Sequence, residues 1–137
     1  MIIGAVKEKK KFENRVSISP DDVKNYVKAG HQVFIEKGAG SLSGFNDKSY
    51  KESGATLSTS KEVLKNSDII LKINCPTPDE SKLIKNNSMV ISQISIQNNQ
   101  DSIKILNSKK ISAFALELVP RITRAQDMDI LSSQANL

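Results

Sequence analysis

The last part of the chain concentrates side chains that can hydrogen-bond a polar ligand. Residues 120–136 contain two arginines, two glutamines, two aspartates and a pair of serines. Met128, Leu131 and Ala135 recur at helical spacing, which predicts a helix that begins near Arg124. No glycine or proline stop signal follows this pattern before the final residue. We therefore expect the sequence to be the front part of a longer protein, interrupted inside this helix.

Two cations lie where predicted strands end. Arg15 follows the first predicted strand, and Lys72 interrupts the apolar run of residues 68–74. A buried lysine is costly unless an acid or a ligand pairs with it. Each cation alone could form a structural ion pair, and the two together could hold a carboxylate. Ser95 also leaves a predicted strand end, where ligands of parallel sheets gather.

Three further features give weaker chemical signals. The glycines at Gly38, Gly40 and Gly44 are spaced G-x-G-x-x-x-G, one residue longer than the dinucleotide fingerprint, so a plain tight loop is favoured over a phosphate cradle. His31 is the only histidine and Cys75 the only cysteine, and together they cannot make a zinc site. No metal is expected, and Cys75 is interpreted as a small buried thiol rather than a nucleophile.

The composition indicates one globular domain in a reducing compartment. The chain has 137 residues, 38% of them hydrophobic, and a net charge of +5 carried mainly by lysine. No aromatic platform or arginine stripe accompanies this charge, so we expect a solvated surface and no nucleic-acid partner. A single cysteine excludes an intrachain disulfide. The sequence shows neither a signal peptide nor an apolar run long enough to cross a bilayer, which favours a cytosolic location.

Strand and helix patterns alternate along the chain. Strands are predicted at residues 2–6, 32–36, 55–58, 68–74, 89–94 and 111–118. Helices are predicted from Pro20, after a capping Ser19, to Gly30, and at residues 46–53, 60–64, 78–84 and 101–106. This alternation predicts an α/β fold of three layers, Rossmann-like or flavodoxin-like, in which helices cover both faces of a parallel sheet.

Four groups of residues, in order along the chain, resemble one known family. They are Glu8-x-x-x-x-Glu13-x-Arg15-Val16; Gly38-Ala-Gly40 with Phe45-x-Asp47; Leu71-Lys-Ile-Asn-Cys-Pro76; and Pro120-Arg-Ile-Thr-Arg-Ala-Gln126 with Leu131-Ser-Ser-x-Ala-Asn136. Together they look like the N-terminal domain shared by alanine dehydrogenase and the alpha subunit of proton-translocating NAD(P) transhydrogenase. The resemblance spans residues 1–137 as one domain. It implies that the terminal helix leads into an NAD-binding Rossmann domain that this sequence lacks.

The two branches of that family imply different chemistry. In alanine dehydrogenases the counterparts of Arg15 and Lys72 hold pyruvate, and a histidine after the fifth strand is the acid and base. Ser95 stands at the histidine position here, so Arg15, Lys72 and Ser95 are expected to be relics of a substrate pocket. Without the imidazole, acid–base catalysis on an amine or carbonyl has no obvious donor.

The terminal motif has the transhydrogenase form. By this resemblance, Arg121, Gln126, Asp129 and Ser132 bind the nicotinamide of NAD(H), and Gln126 is the residue that bridges towards NADP(H). The expected partners are the Rossmann domain, a beta subunit that carries NADP(H), and a second copy in a homodimer. The parent enzyme, of which this chain would be one part, would transfer hydride between NAD(H) and NADP(H) and couple this reaction to proton translocation. The NAD(H)-binding subunit is expected to be cytoplasmic and peripheral to the membrane.

The isolated 137-residue chain is expected to be inactive and to bind no cofactor tightly, since most nucleotide contacts would belong to the Rossmann domain. Two alternatives stay open. One is a catalytically inactive remnant or interaction domain. The other is a degenerate relative of alanine or saccharopine dehydrogenase that acts on an amino or keto acid.

Overall fold

The computed structural model describes residues 1–118, in which strands and helices alternate. The strands are β1 (Ile2–Ala5), β2 (Gln32–Glu36), β3 (Thr56–Ser58), β4 (Ile69–Asn74), β5 (Met89–Gln93) and β6 (Ser112–Ala115). The helices are α1 (Pro20–Lys28), α2 (Asp47–Glu52), α3 (Ser60–Asn66), α4 (Pro78–Leu83) and α5 (Gln100–Ser108). Short 3-10 helices span Ser41–Ser43, Ile96–Asn98 and Leu116–Leu118.

All six strands form one parallel sheet in the order β3-β2-β1-β4-β5-β6. The chain first adds strands on one side of β1 and then crosses to the other side, where β4 pairs directly with β1. The strand order therefore reverses between β1 and β4. In open α/β sheets the carboxyl ends of the strands at such a reversal form a crevice that binds ligands.

Helices cover the sheet on both faces. On one face α1 and α2 bury an apolar cluster that includes Ile18, Val23, Val33, Ile35 and Tyr50. On the other face α3, α4 and α5 bury Val63, Leu64, Ile70, Ile84, Val90 and Leu106. Burial of these aliphatic side chains is the main stabilising contribution to the fold. The predicted three-layer α/β architecture is confirmed.

The start of α1 shows how local sequence signals set an element's bounds. Ser19 accepts a hydrogen bond from the backbone N–H of Asp22 (3.2 Å), and the Asp22 carboxylate accepts one from the N–H of Ser19 (3.1 Å). This reciprocal capping box is followed by Pro20 in the first turn. The helix stops before Gly30, whose φ of 93° suits a residue without a side chain.

One predicted strand is wrong in its second half. The apolar run of residues 111–118 was expected to be a single strand, but the strand ends at Ala115 and Leu116–Leu118 form a 3-10 helix. The cause is a long-range contact that the apolar pattern does not contain, because the Glu117 carboxylate accepts hydrogen bonds from the N–H groups of Ile94 and Ser95, just after the end of β5. The helix predicted near Arg124 lies outside the described residues. Within residues 1–118, no helix has the length and apolar character that a bilayer crossing requires.

Candidate functional site

A polar cleft of about 610 Å³ opens at the carboxyl ends of β1, β4 and β5. Charged groups in its lining come from Glu8, Glu80, Lys72, Lys9 and Lys10. Amides and a hydroxyl come from Asn74, Gln93, Asn98, Asn99 and Ser95. The cleft therefore lies at the strand reversal, and it offers both charged and neutral groups that can donate or accept hydrogen bonds.

Lys72 is buried at the floor of this cleft between two carboxylates. Its side chain is 2% exposed, and its Nζ lies 3.3 Å from Glu8 Oε1 and 3.6 Å from Glu80 Oε1. The two glutamate side chains are each 1% exposed. Two negative charges thus surround one positive charge away from water, an arrangement in which loss of the cation would be costly.

Backbone groups hold both carboxylates in place. Glu8 also accepts hydrogen bonds from the N–H groups of Ile73 and Asn74, both at 3.0 Å. Glu80 Oε1 accepts from the N–H of Thr77 in the capping box that starts α4. The second oxygen of Glu80 is buried without a hydrogen bond in the described structure, and Lys9 Nζ lies 3.9 Å from it.

Arg15 lies beside this cleft rather than in its lining. Its guanidinium forms two hydrogen bonds of 2.8 Å to the Glu13 carboxylate. Asn74 connects this pair to the floor of the cleft, because its side chain donates to Glu13 Oε2 while its backbone N–H donates to Glu8. Both predicted cations are therefore paired with carboxylates of the same chain, and Asn74 links the two ion pairs.

The Glu13 carboxylate gives a pH-dependent contribution to stability. The hydrogen bond from Arg15 lowers the pKa of Glu13 from 4.5 to about 2, with a smaller contribution from Asn74 and against partial desolvation. Because the folded-state pKa lies below the unfolded-state value, this stabilisation is present above pH 4.5 and is lost as the pH falls towards 2.

We expect Glu13→Gln to reduce the free energy of unfolding at neutral pH, and the difference from the wild type to shrink between pH 4.5 and 2. Urea unfolding followed by circular dichroism at several pH values measures this difference. Other carboxylates titrate in both proteins and cancel in the comparison. A difference that stays constant over this interval would show that Glu13 keeps an ordinary pKa.

Ser95 lines the cleft in a backbone conformation that is uncommon for serine. Its φ of 47° and ψ of 68° lie in the left-handed region. Its N–H donates to Glu117 Oε2 at 2.6 Å, and the N–H of Ile94 donates to both oxygens of the same carboxylate at 2.9 and 3.1 Å. Partial burial raises the pKa of Glu117, but these backbone hydrogen bonds outweigh it, and the pKa lies below its ordinary value.

Cys75 lies in the same lining, and burial raises the pKa of its thiol to about 11 although Lys72 acts in the opposite direction. The half-buried side chain is therefore a neutral thiol at neutral pH, which supports its interpretation as a thiol that is not a nucleophile. His31 precedes β2 and lies at the opposite, amino-terminal edge of the sheet. At the predicted glycine loop, the N–H of Gly38 donates to the Asp47 carboxylate at 2.9 Å.

The structure brings Lys72 and Ser95 into one cleft and places Arg15 next to it. Arg121, Gln126, Asp129 and Ser132 lie outside the described residues. Sequence analysis did not identify roles for Asn74, Glu80 and Glu117. The T-x-x-E pattern at Thr77 and Glu80 signals a helix start, but it contains no information about Lys72.

Comparison with known proteins identifies the family. A family model described as the alanine dehydrogenase/PNT N-terminal domain matches residues 4–137. The NAD(P) transhydrogenase subunit alpha of Haemophilus influenzae is 40% identical over 137 residues, which cover 100% of this chain and 27% of that protein. An alanine dehydrogenase of Methanococcus maripaludis is 39% identical over 126 residues, which cover 91% of this chain and 34% of that protein.

A solved structure gives the same result at the level of the fold. The crystal structure of transhydrogenase from Sinorhizobium meliloti superposes with a TM-score of 0.94 at 38% identity, over 99% of this chain and 41% of that one. The chain thus spans between 27% and 41% of the length of these three proteins. The chain belongs to the alanine dehydrogenase/PNT N-terminal domain family.

Proposed function

We propose that this chain is the N-terminal part of the NAD(H)-binding subunit of a proton-translocating NAD(P) transhydrogenase. The observation that carries the proposal is Ser95 at the end of β5, where the cleft has a hydroxyl and no imidazole. The only histidine of the chain, His31, lies at the other edge of the sheet. Hydride transfer between two nicotinamides needs close, aligned rings and no acid or base from the protein.

The pairing of the two cations supports the same assignment. An amino- or keto-acid dehydrogenase needs a positive group that is available to the substrate carboxylate. Here Lys72 is buried between Glu8 and Glu80, and the Arg15 guanidinium forms a bidentate ion pair with the Glu13 carboxylate. A substrate carboxylate would have to displace these internal partners, and at Lys72 this would leave Glu8 and Glu80 buried without their cation.

The cleft is chemically suited to an NAD(H) nicotinamide at its mouth. Amide groups of Asn74, Gln93 and Asn98 line it and can hydrogen-bond a carboxamide or a ribose hydroxyl. NAD(H) would supply the hydride and this chain the orientation of the ring. From the family resemblance, we assign Arg121, Asp129 and Ser132 to nicotinamide binding and Gln126 to the contact with NADP(H).

The remaining parts of the proposed enzyme lie beyond this chain. A Rossmann domain would bind most of the NAD(H), a beta subunit would carry NADP(H), and the NAD(H)-binding subunit would form a homodimer on the cytoplasmic side of the membrane. Coupling to proton translocation would reside in the membrane-spanning parts. The chain on its own is then expected to bind NADH only weakly and to be inactive.

Two parallel assays on the assembled parent enzyme test the proposal. One assay follows hydride transfer from NADH to an analogue of oxidised NADP. The other assay follows the reduction of NAD by alanine. We expect turnover in the first assay and none in the second. Robust alanine-dependent reduction without transfer between nucleotides would instead assign the chain to the alanine dehydrogenase branch, which the similarity to the Methanococcus maripaludis protein makes the second candidate.

A further inference from the structure

Glu117 connects the ends of two neighbouring strands beyond the point where their backbones pair. The last residues that β5 and β6 pair with each other are Ser92 and Ala115. Beyond this pair, the Glu117 carboxylate connects the two chain segments. It accepts three hydrogen bonds of 2.6–3.1 Å from the N–H groups of Ile94 and Ser95. Hydrogen bonds from backbone N–H to a carboxylate are stronger than those between neutral groups.

These hydrogen bonds hold a strained turn. Ser95 has a positive φ of 47°, a conformation that costs free energy for a residue with a side chain. Two side-chain amides also stabilise this turn. Asn98 donates a hydrogen bond to Ser95 Oγ, and Asn99 donates to the carbonyl oxygens of Ile94 and Ser95. Because Ser95 lines the cleft, the conformation of this turn sets the shape of the cleft's rim.

Glu117 is also close in sequence to the proposed nicotinamide-binding residues. It precedes Arg121 by four positions and belongs to the 3-10 helix Leu116–Leu118, the last element that the structure describes. One side chain therefore joins the rim of the cleft to the point from which the chain continues towards Arg121.

We propose that Glu117 is a positioning residue for hydride transfer, whose carboxylate fixes the turn at Ile94 and Ser95 at the rim of the cleft. This inference rests on the proposed transhydrogenase function. It assigns Glu117 no contact with either nucleotide. Its effect on the reaction acts through the alignment of the rings, to which transfer rates are sensitive.

The first experiment examines the chain itself. In Glu117→Gln one of the two carboxylate oxygens becomes an N–H₂ group, which cannot accept from a backbone N–H, and the negative charge that strengthens the remaining hydrogen bonds is lost. We expect hydrogen exchange at the amides of Ile94 and Ser95, measured by NMR, to become about tenfold faster. A matched substitution of the exposed acid Glu52 in α2, Glu52→Gln, should leave both amides unchanged.

The second experiment measures the single-turnover rate of hydride transfer from NADH to an analogue of oxidised NADP in the assembled parent enzyme. We expect Glu117→Gln to slow transfer by about tenfold or more, with the KM for NADH and the thermal midpoint close to the wild type. The side chain is exposed, so its loss should not unfold the domain. Glu52→Gln again serves as the control and should transfer at the wild-type rate.

A second-site variant separates positioning from a general loss of structure. Glycine adopts a positive φ without strain, so Ser95→Gly should lessen the need for the carboxylate. We expect the double variant Glu117→Gln, Ser95→Gly to transfer hydride faster than Glu117→Gln alone. Faster amide exchange with an unchanged transfer rate, or the absence of any rescue, would overturn the proposal. An inactive wild-type parent would instead contradict the proposed function.

Discussion

Lys72→Met is expected to lower the free energy of unfolding by about 3–5 kcal/mol. Methionine keeps a side chain of similar length but removes the positive charge, so Glu8 and Glu80 remain buried, each 1% exposed, without the cation between them. Desolvated charges without a partner are among the most destabilising changes in a protein core. Chemical denaturation followed by circular dichroism measures the effect at neutral pH.

Two control variants separate this effect from the general cost of substituting a lysine. Lys85→Met removes an exposed lysine paired with Asp68, with side chains 46% and 36% exposed, and should cost about 1 kcal/mol or less. The double variant Lys72→Met, Glu80→Gln also removes one of the two unpaired carboxylates, so it should be more stable than Lys72→Met alone. If Lys72→Met cost no more than Lys85→Met, the buried charge cluster would not contribute as the structure indicates.

Gln126→Asn in the assembled parent is expected to slow hydride transfer by about a hundredfold. The substitution shortens the proposed bridging side chain by one methylene and keeps its amide, so the positions of the two nicotinamides change while the chemical groups do not. NADH affinity and the unfolding midpoint should stay near the wild type. Single-turnover absorbance measurements give the rate, and isothermal titration gives the affinity.

Gln134→Asn is the matched control, since it makes the same change eight positions later in the same segment. It should leave the transfer rate unchanged. A Gln126→Asn enzyme with the wild-type rate would remove Gln126 from the nucleotide contact. Loss of the folded state in this variant would instead assign Gln126 a structural role.

Local signals allowed most of the fold to be predicted from the sequence. Strand β2 occupies the predicted residues 32–36, and α1 starts at Pro20 after the capping Ser19, because a short apolar run and a capping box are each encoded within a few positions. The order of strands and helices then requires a parallel sheet covered on both faces. Such features depend on short stretches of sequence and could be recognised without the structure.

The interactions that build the cleft could not be predicted in the same way. Sequence analysis recognised that Lys72 needed a partner, but Glu8 is 64 residues away and no pattern connects the two. The hydrogen bonds from Ile94 and Ser95 to Glu117 span 23 and 22 residues, and they end β6 inside an apolar run that otherwise favours a strand. Contacts of this kind arise from the packing of the sheet.

Transfer of an isotopic label tests the central claim most directly. The assembled parent enzyme is mixed with NADH that carries deuterium at the transferable position, together with oxidised NADP, pyruvate and ammonia, and the products are analysed by mass spectrometry. The proposed function predicts deuterium in NADPH and none in alanine, since the cleft presents Ser95 and no imidazole. Deuterium in alanine and none in NADPH would contradict it.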